Sequence, residues 1–79
     1  IMFFKDSWKV KSANGYNCEL ELTLRDKDNN LLPPPLKVGD YILANGNNYY
    51  QIKEIDSNNI IILDRPCSFS KGDIITKIG

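Results

Sequence analysis

Seventy-nine residues make a single domain near the lower limit of independent folding, where only about 60% of the unfolded chain's surface is buried. With 42% hydrophobic residues and ten basic charges balancing ten acidic ones, the composition excludes wholesale disorder. It also denies the chain the net field on which nonspecific nucleic-acid or acidic-membrane binding relies.

No apolar run approaches the roughly 18 residues that cross a bilayer, so no membrane association is expected. Ile1 stands where a start methionine would, and no signal-type segment follows it. A single domain over residues 1–79 is the expectation, with processing, a cloning boundary or a piece of a longer chain as alternative origins of Ile1. Cys18 and Cys67 are too few for a metal knuckle and there is no histidine to complete one. Cys18 falls in an apolar alternation, the usual place for a buried free thiol, so two free thiols and a reducing compartment or a particle assembled in one are expected, with a single disulfide as the alternative. The nine asparagines accompany abundant Ile, Lys, Tyr and Phe, a codon-bias signature that removes Asn clusters from the functional argument.

In chain order, Phe4, Trp8 and Val10 alternate with Phe3, Lys5, Ser7, Lys9 and Lys11. Ser12-Ala13-Asn14-Gly15 then supplies residues tolerant of positive φ. From Tyr16 to Arg25, Cys18, Leu20, Leu22 and Leu24 alternate with polar residues at period two. Residues 2–25 are therefore predicted to form a β-hairpin with one wet face. Asp26 to Asn30 is a polar turn, and Pro33-Pro34-Pro35 withholds ladder donors and favours extended geometry. This stretch is predicted as a stiff connector in preference to a ligand for a proline-reading domain.

Short strands are predicted at Asp40–Ala44, Tyr49–Ile55, Ile60–Leu63 and Asp73–Ile78, divided by Asn- and Gly-rich turns. In Tyr50-x-Ile52-x-x-Ile55 the apolar spacing slips from two to three, which predicts a bulge that lets one strand serve two sides of a barrel. About six strands with no helix define the expected fold: all-β, a small antiparallel barrel of SH3-like or OB-like type.

Catalytic chemistry finds little to work with. Without histidine the commonest general base near neutral pH is missing, and Ser68, Ser70 and Cys67 have no activating imidazole. Glu19 and Glu21 sit on the wet side of a clean alternation. Asp40 and Asp73 each follow a glycine, where a short carboxylate bonds nearby backbone donors as a strand starts. No phosphate-cradling glycine motif occurs. The chain is expected to be no enzyme and to need no cofactor or metal.

A nucleic-acid reading rests on Lys5, Lys9 and Lys11 sharing a strand face with Phe3, and on Trp8, Tyr16, Tyr41, Tyr49 and Tyr50 as stacking surfaces. Against it stand the neutral charge, carboxylates at Glu19, Glu21 and Asp26 placed to pair with those lysines across the hairpin, and the position of Trp8 on the apolar face.

The run Val38-Gly39-Asp40-Tyr41-Ile42-Leu43, then Gly46-x-x-Tyr49-Tyr50-x-Ile52-x-x-Ile55, then Ile60-Ile61-Ile62-Leu63-Asp64-x-Pro66 and Gly72-Asp73-x-Ile75, resembles small SH3-like or OB-like barrel modules. Such modules are similar to those in tailed-phage virion proteins: head-to-tail adaptors, tail-completion factors and baseplate components. The resemblance spans residues 38–75 and carries over no functional residue. It implies a structural, protein-interaction role in a virion, or else in the cytoplasm, with neighbouring subunits or further copies of the chain as partners. Contacts are expected through exposed strand edges and loops, with Phe3, Leu31, Leu32 and Phe69 as exposed apolar groups beside Lys5, Lys9 and Lys11.

Overall fold

The computed structural model describes residues 6–57 and 59–78. They form six strands: β1 (Ser7–Asn14), β2 (Asn17–Leu20), β3 (Tyr41–Ala44), β4 (Asn48–Ser57), β5 (Ile60–Leu63) and β6 (Ile74–Ile78). All neighbours are antiparallel, and the strands close into a barrel in the order β1-β2-β5-β4-β3-β6. The meander β3-β4-β5 with β6 returning beside β3 is a Greek key. The predicted all-β barrel is what the chain adopts.

Alternation builds the core. Each of the first five strands sends two residues inward, two positions apart: Trp8 and Val10, Cys18 and Leu20, Ile42 and Ala44, Tyr50 and Ile52, Ile61 and Leu63, while β6 adds Ile75. Closure requires some strands to turn corners, and β1 and β4 do so. Residues Ser7 to Lys9 of β1 pair with β6 and its later residues with β2, the register shifting between Val10 and Ser12. Likewise β4 leaves β3 after Gln51 and follows β5 from Ile52, with the predicted bulge between Ile52 and Glu54 and a second shift between Ile55 and Ser57. An extra residue at each switch bends the strand and lets it serve two sides of the barrel.

Two segments cover the barrel's ends. The connector 21–40 brings Leu36 into the core with Leu24 packed against it, and Pro34 is buried, as suits a stiff brace more than an offered ligand. Lys77 occupies an inward position opposite Ile42, and its ammonium donates to the Pro35 carbonyl at 3.4 Å and lies 4.0 Å from the Asp40 carboxylate. The loop 64–72 does the same at the other end with Phe69 and Cys67.

Both Gly-Asp turns share one construction. Asp40 N–H bonds the Lys37 carbonyl and Asp73 N–H the Ser70 carbonyl, each at 3.0 Å, while the same aspartates accept from Lys37 N–H and Ser70 N–H at 2.9 Å. Gly39 (φ 97°) and Gly72 (φ 93°) hold the third position, where such a type II turn needs positive φ. The strand-opening role expected of the two carboxylates is the one they perform.

Three expectations are corrected. The first turn lies at Gly15-Tyr16 and not at Ser12–Gly15, because β1 continues to Asn14. β2 ends at Leu20 and not at Arg25, because its partner β5 begins at Ile60 and the flanking backbone bonds stop at Leu20 N–H to the Asn59 carbonyl on one side and Glu21 N–H to the Lys9 carbonyl on the other. Third, closure gives every strand a neighbour on each side, so the strand edges expected to be exposed are paired along part of their length.

Candidate interaction surface

The inward set dictates its complement. On β3, Tyr41 and Leu43 flank buried Ile42 and so face out; on β4, Tyr49 and Gln51 flank buried Tyr50. On β6 the outward residues are Ile74, Thr76 and Ile78, and on β1 they are Ser7 and Lys9. Register aligns these into rows across the sheet β4-β3-β6-β1. Gln51, Tyr41 and Ile78 form one row; Tyr49, Leu43, Thr76 and Ser7 form the next; Ile74 and Lys9 form a third.

The result is one outer face on which Tyr49 (60% exposed), Tyr41 (53%) and Ile74 (41%) surround half-buried Leu43 and Ile78. Polar groups stand within it and beside it, Thr76 lying between Ile74 and Ile78 along β6. Ser7 and Thr76 share a 2.9 Å hydroxyl hydrogen bond, Lys9 lies at one side, and at the other Arg65 donates to the Tyr49 carbonyl while covering the buried Tyr50 ring at 4.4 Å from its centroid. Exposed apolar patches of this kind mark contact sites on soluble proteins in general.

The residues singled out from sequence scatter. Lys9 borders this face. Lys11 lies on the adjoining side, 3.6 Å from Glu19, the cross-hairpin pairing that its neighbours implied. Leu31 (46% exposed) lines a shallow groove with Lys11, Leu20, Glu21, Leu22 and Asn59, brought there by the Arg25–Leu31 bridge, and Leu32 follows it on the surface. Phe3 and Lys5 lie outside the described residues. Phe69 overturns its expectation: it is 8% exposed, because the barrel's end needs a plug and the loop turns the ring inward onto Tyr50. Of the proposed stacking groups, Trp8 and Tyr50 are core residues, each 2% exposed, leaving Tyr16, Tyr41 and Tyr49 at the surface.

Sequence reasoning found Tyr41 and Tyr49 as aromatics but missed the face they share with Leu43, Ile74 and Ile78. The signal was present as the odd phase of each alternation, but only the register between strands distant in sequence joins those phases.

Titratable groups serve local structure. Asp26 sits below the ordinary carboxylate range because its carboxylate accepts from Asn30 and Asp28 backbone N–H groups, and Asp73 does so through Ser70 N–H, with Asn45 contributing. Burial pushes the Cys18 thiol up to about 12, with Cys67 adding to the effect, and burial also raises Cys67. Among the described residues no three His, Cys, Asp or Glu side chains gather as a metal site, and no helix is long and apolar enough to cross a membrane.

The fold defines the class: a small, closed, antiparallel six-stranded barrel. No protein family, curated protein or solved structure matches the chain.

Proposed function

We propose that this barrel is a non-catalytic docking module that holds neighbouring protein subunits through the outer face of β3, β4 and β6. The carrying observation is the cross-strand arrangement of Tyr41, Tyr49, Leu43, Ile74 and Ile78 on one rigid sheet face. Tyrosine supplies large contact area with few rotatable bonds, and a closed barrel fixes where each ring stands. The neutral charge of the chain suits a contact governed by apolar burial. The setting that the sequence resemblance favours is a virion, in an adaptor, tail-completion or baseplate position.

The rival, a single-strand nucleic-acid binder, retains Lys9 and three surface tyrosines. It loses Trp8 and Tyr50 to the core, and Lys11 is neutralised by Glu19. A photo-reactive residue placed at position 41 or 49, in cells that make the protein, tests the choice. Discrete protein adducts from both positions, and none from position 54 outside this face, are expected. Adducts to nucleic acid alone would reverse the reading.

A further inference from the structure

We propose that Cys18 and Cys67 are an oxidation site: a low-molecular-weight disulfide converts the pair into one intramolecular disulfide that locks the loop 64–72 onto β2. Cys18 lies on β2 and points into the core, fully buried. Cys67 lies in the loop, packed against the same cluster, and its thiol reaches the Asn17 carbonyl at 3.6 Å, the peptide group that leads directly into Cys18. The backbone fixes the approach, since Cys67 N–H donates to the Gly15 carbonyl at 2.7 Å and Leu63 N–H to the Tyr16 carbonyl at 2.8 Å. The loop is thus held against the β1–β2 turn with its sulfur on the peptide group that precedes Cys18. Both cysteines are free.

The exchange balances without any further reagent. Cys67, the more exposed thiol, gives its proton to solvent and attacks the reagent disulfide, releasing one thiolate and leaving a mixed disulfide. Cys18 then loses its proton and displaces the second thiolate, so two electrons pass from the cysteine pair to the reagent. Because burial raises both thiols, the first step is slow near neutral pH and accelerates as the pH rises. The link would join β2 to the loop that carries Arg65 and the Phe69 plug, beside Tyr49. It does not depend on the docking reading.

The test is incubation of the full chain with oxidised glutathione under native conditions, read by intact mass and a non-reducing peptide map. The expected product is a monomer lighter than the reduced protein by two hydrogens, with Cys18 joined to Cys67 and a melting midpoint raised by roughly 10 °C. The Cys67→Ser and Cys18→Ala variants must both lose the linkage, the first while keeping the native fold. Glutathione adducts on Cys67 alone, intermolecular dimers, two thiols still free after prolonged exposure, or a linkage that forms only in denaturant would each overturn the proposal.

Discussion

Phe69 meets the ring of Tyr50 edge-on, the centroids 5.4 Å apart and the planes at 83°. One ring belongs to a strand and the other to a loop, and their contact is what joins the loop 64–72 to the barrel interior. The Tyr50 hydroxyl extends the joint, accepting from Ser68 N–H at 3.0 Å and sharing a 2.5 Å hydrogen bond with the Ser68 hydroxyl.

Two substitutions separate the parts of this joint. Phe69→Ala empties the plug and is expected to cost about 3 kcal/mol, the low end for a buried phenylalanine. Tyr50→Phe keeps the ring and removes the hydroxyl's bonds, costing about 1 kcal/mol. Chemical denaturation of both variants checks the order. Equal costs would contradict the assignment of Phe69 as core.

The two Gly-Asp turns predict a matched pair of effects. Gly39→Ala and Gly72→Ala meet no atom within 4 Å, yet each forces a side chain into positive φ. Each is expected to destabilise by about 1 kcal/mol, a fall of roughly 4–8 °C in thermal midpoint for a domain of this size. Midpoints unchanged in both would show that the turns are not held in this geometry.

Asp73 gives a pH prediction with a defined sign. Its folded carboxyl is more acidic than the ordinary 3.8, so folding favours the ionised form. That contribution is complete above the ordinary carboxylate range and is lost as the pH falls through the depressed folded value. Asp73→Asn should therefore be less stable than the parent near neutrality, and the difference should shrink in strong acid. Denaturant midpoints measured across this range provide the check, and a gap that widened on acidification would refute the turn's role.

Tyr41 and Tyr49 stand exposed at the surface and contribute little to the core. A Tyr41→Ser and Tyr49→Ser double variant is expected to remain folded, with a stability loss small beside that of Phe69→Ala, while no longer co-purifying the proteins that the crosslinking experiment identifies. Titration of the parent with single-stranded oligonucleotides at low and moderate salt should give a flat response. Tight binding that weakens steeply with salt would favour the nucleic-acid rival.

Much of the barrel was legible because half-buried strands write their faces at period two, and the slip in Tyr50-x-Ile52-x-x-Ile55 marked the corner of β4. The alternation misled where it ran on. Leu22 and Leu24 continue the rhythm of Cys18 and Leu20, but the chain leaves the sheet where β5 begins at Ile60. Asp26 then turns it, accepting from Asp28 and Asn30 N–H groups. Leu24 stays apolar because it packs from the connector against the core cluster and not because it belongs to a strand. Phe69 was unreadable for the opposite reason: Ser68 and Ser70 give it a loop's local composition, and the need for a plug exists only once the barrel has closed. The apolar outer face was hidden because Tyr41 meets Ile78, and Leu43 meets Tyr49 and Thr76, only through strand register.

Tyrosine nitration of the chain, free and in the proposed assembly, tests the proposed docking face most directly because Tyr16, Tyr41 and Tyr49 are exposed and Tyr50 is buried. The account predicts that Tyr41 and Tyr49 react in the free barrel and are protected in the assembly, while Tyr16 reacts in both and buried Tyr50 in neither. Nitration of Tyr41 and Tyr49 to the same extent in both states would contradict it.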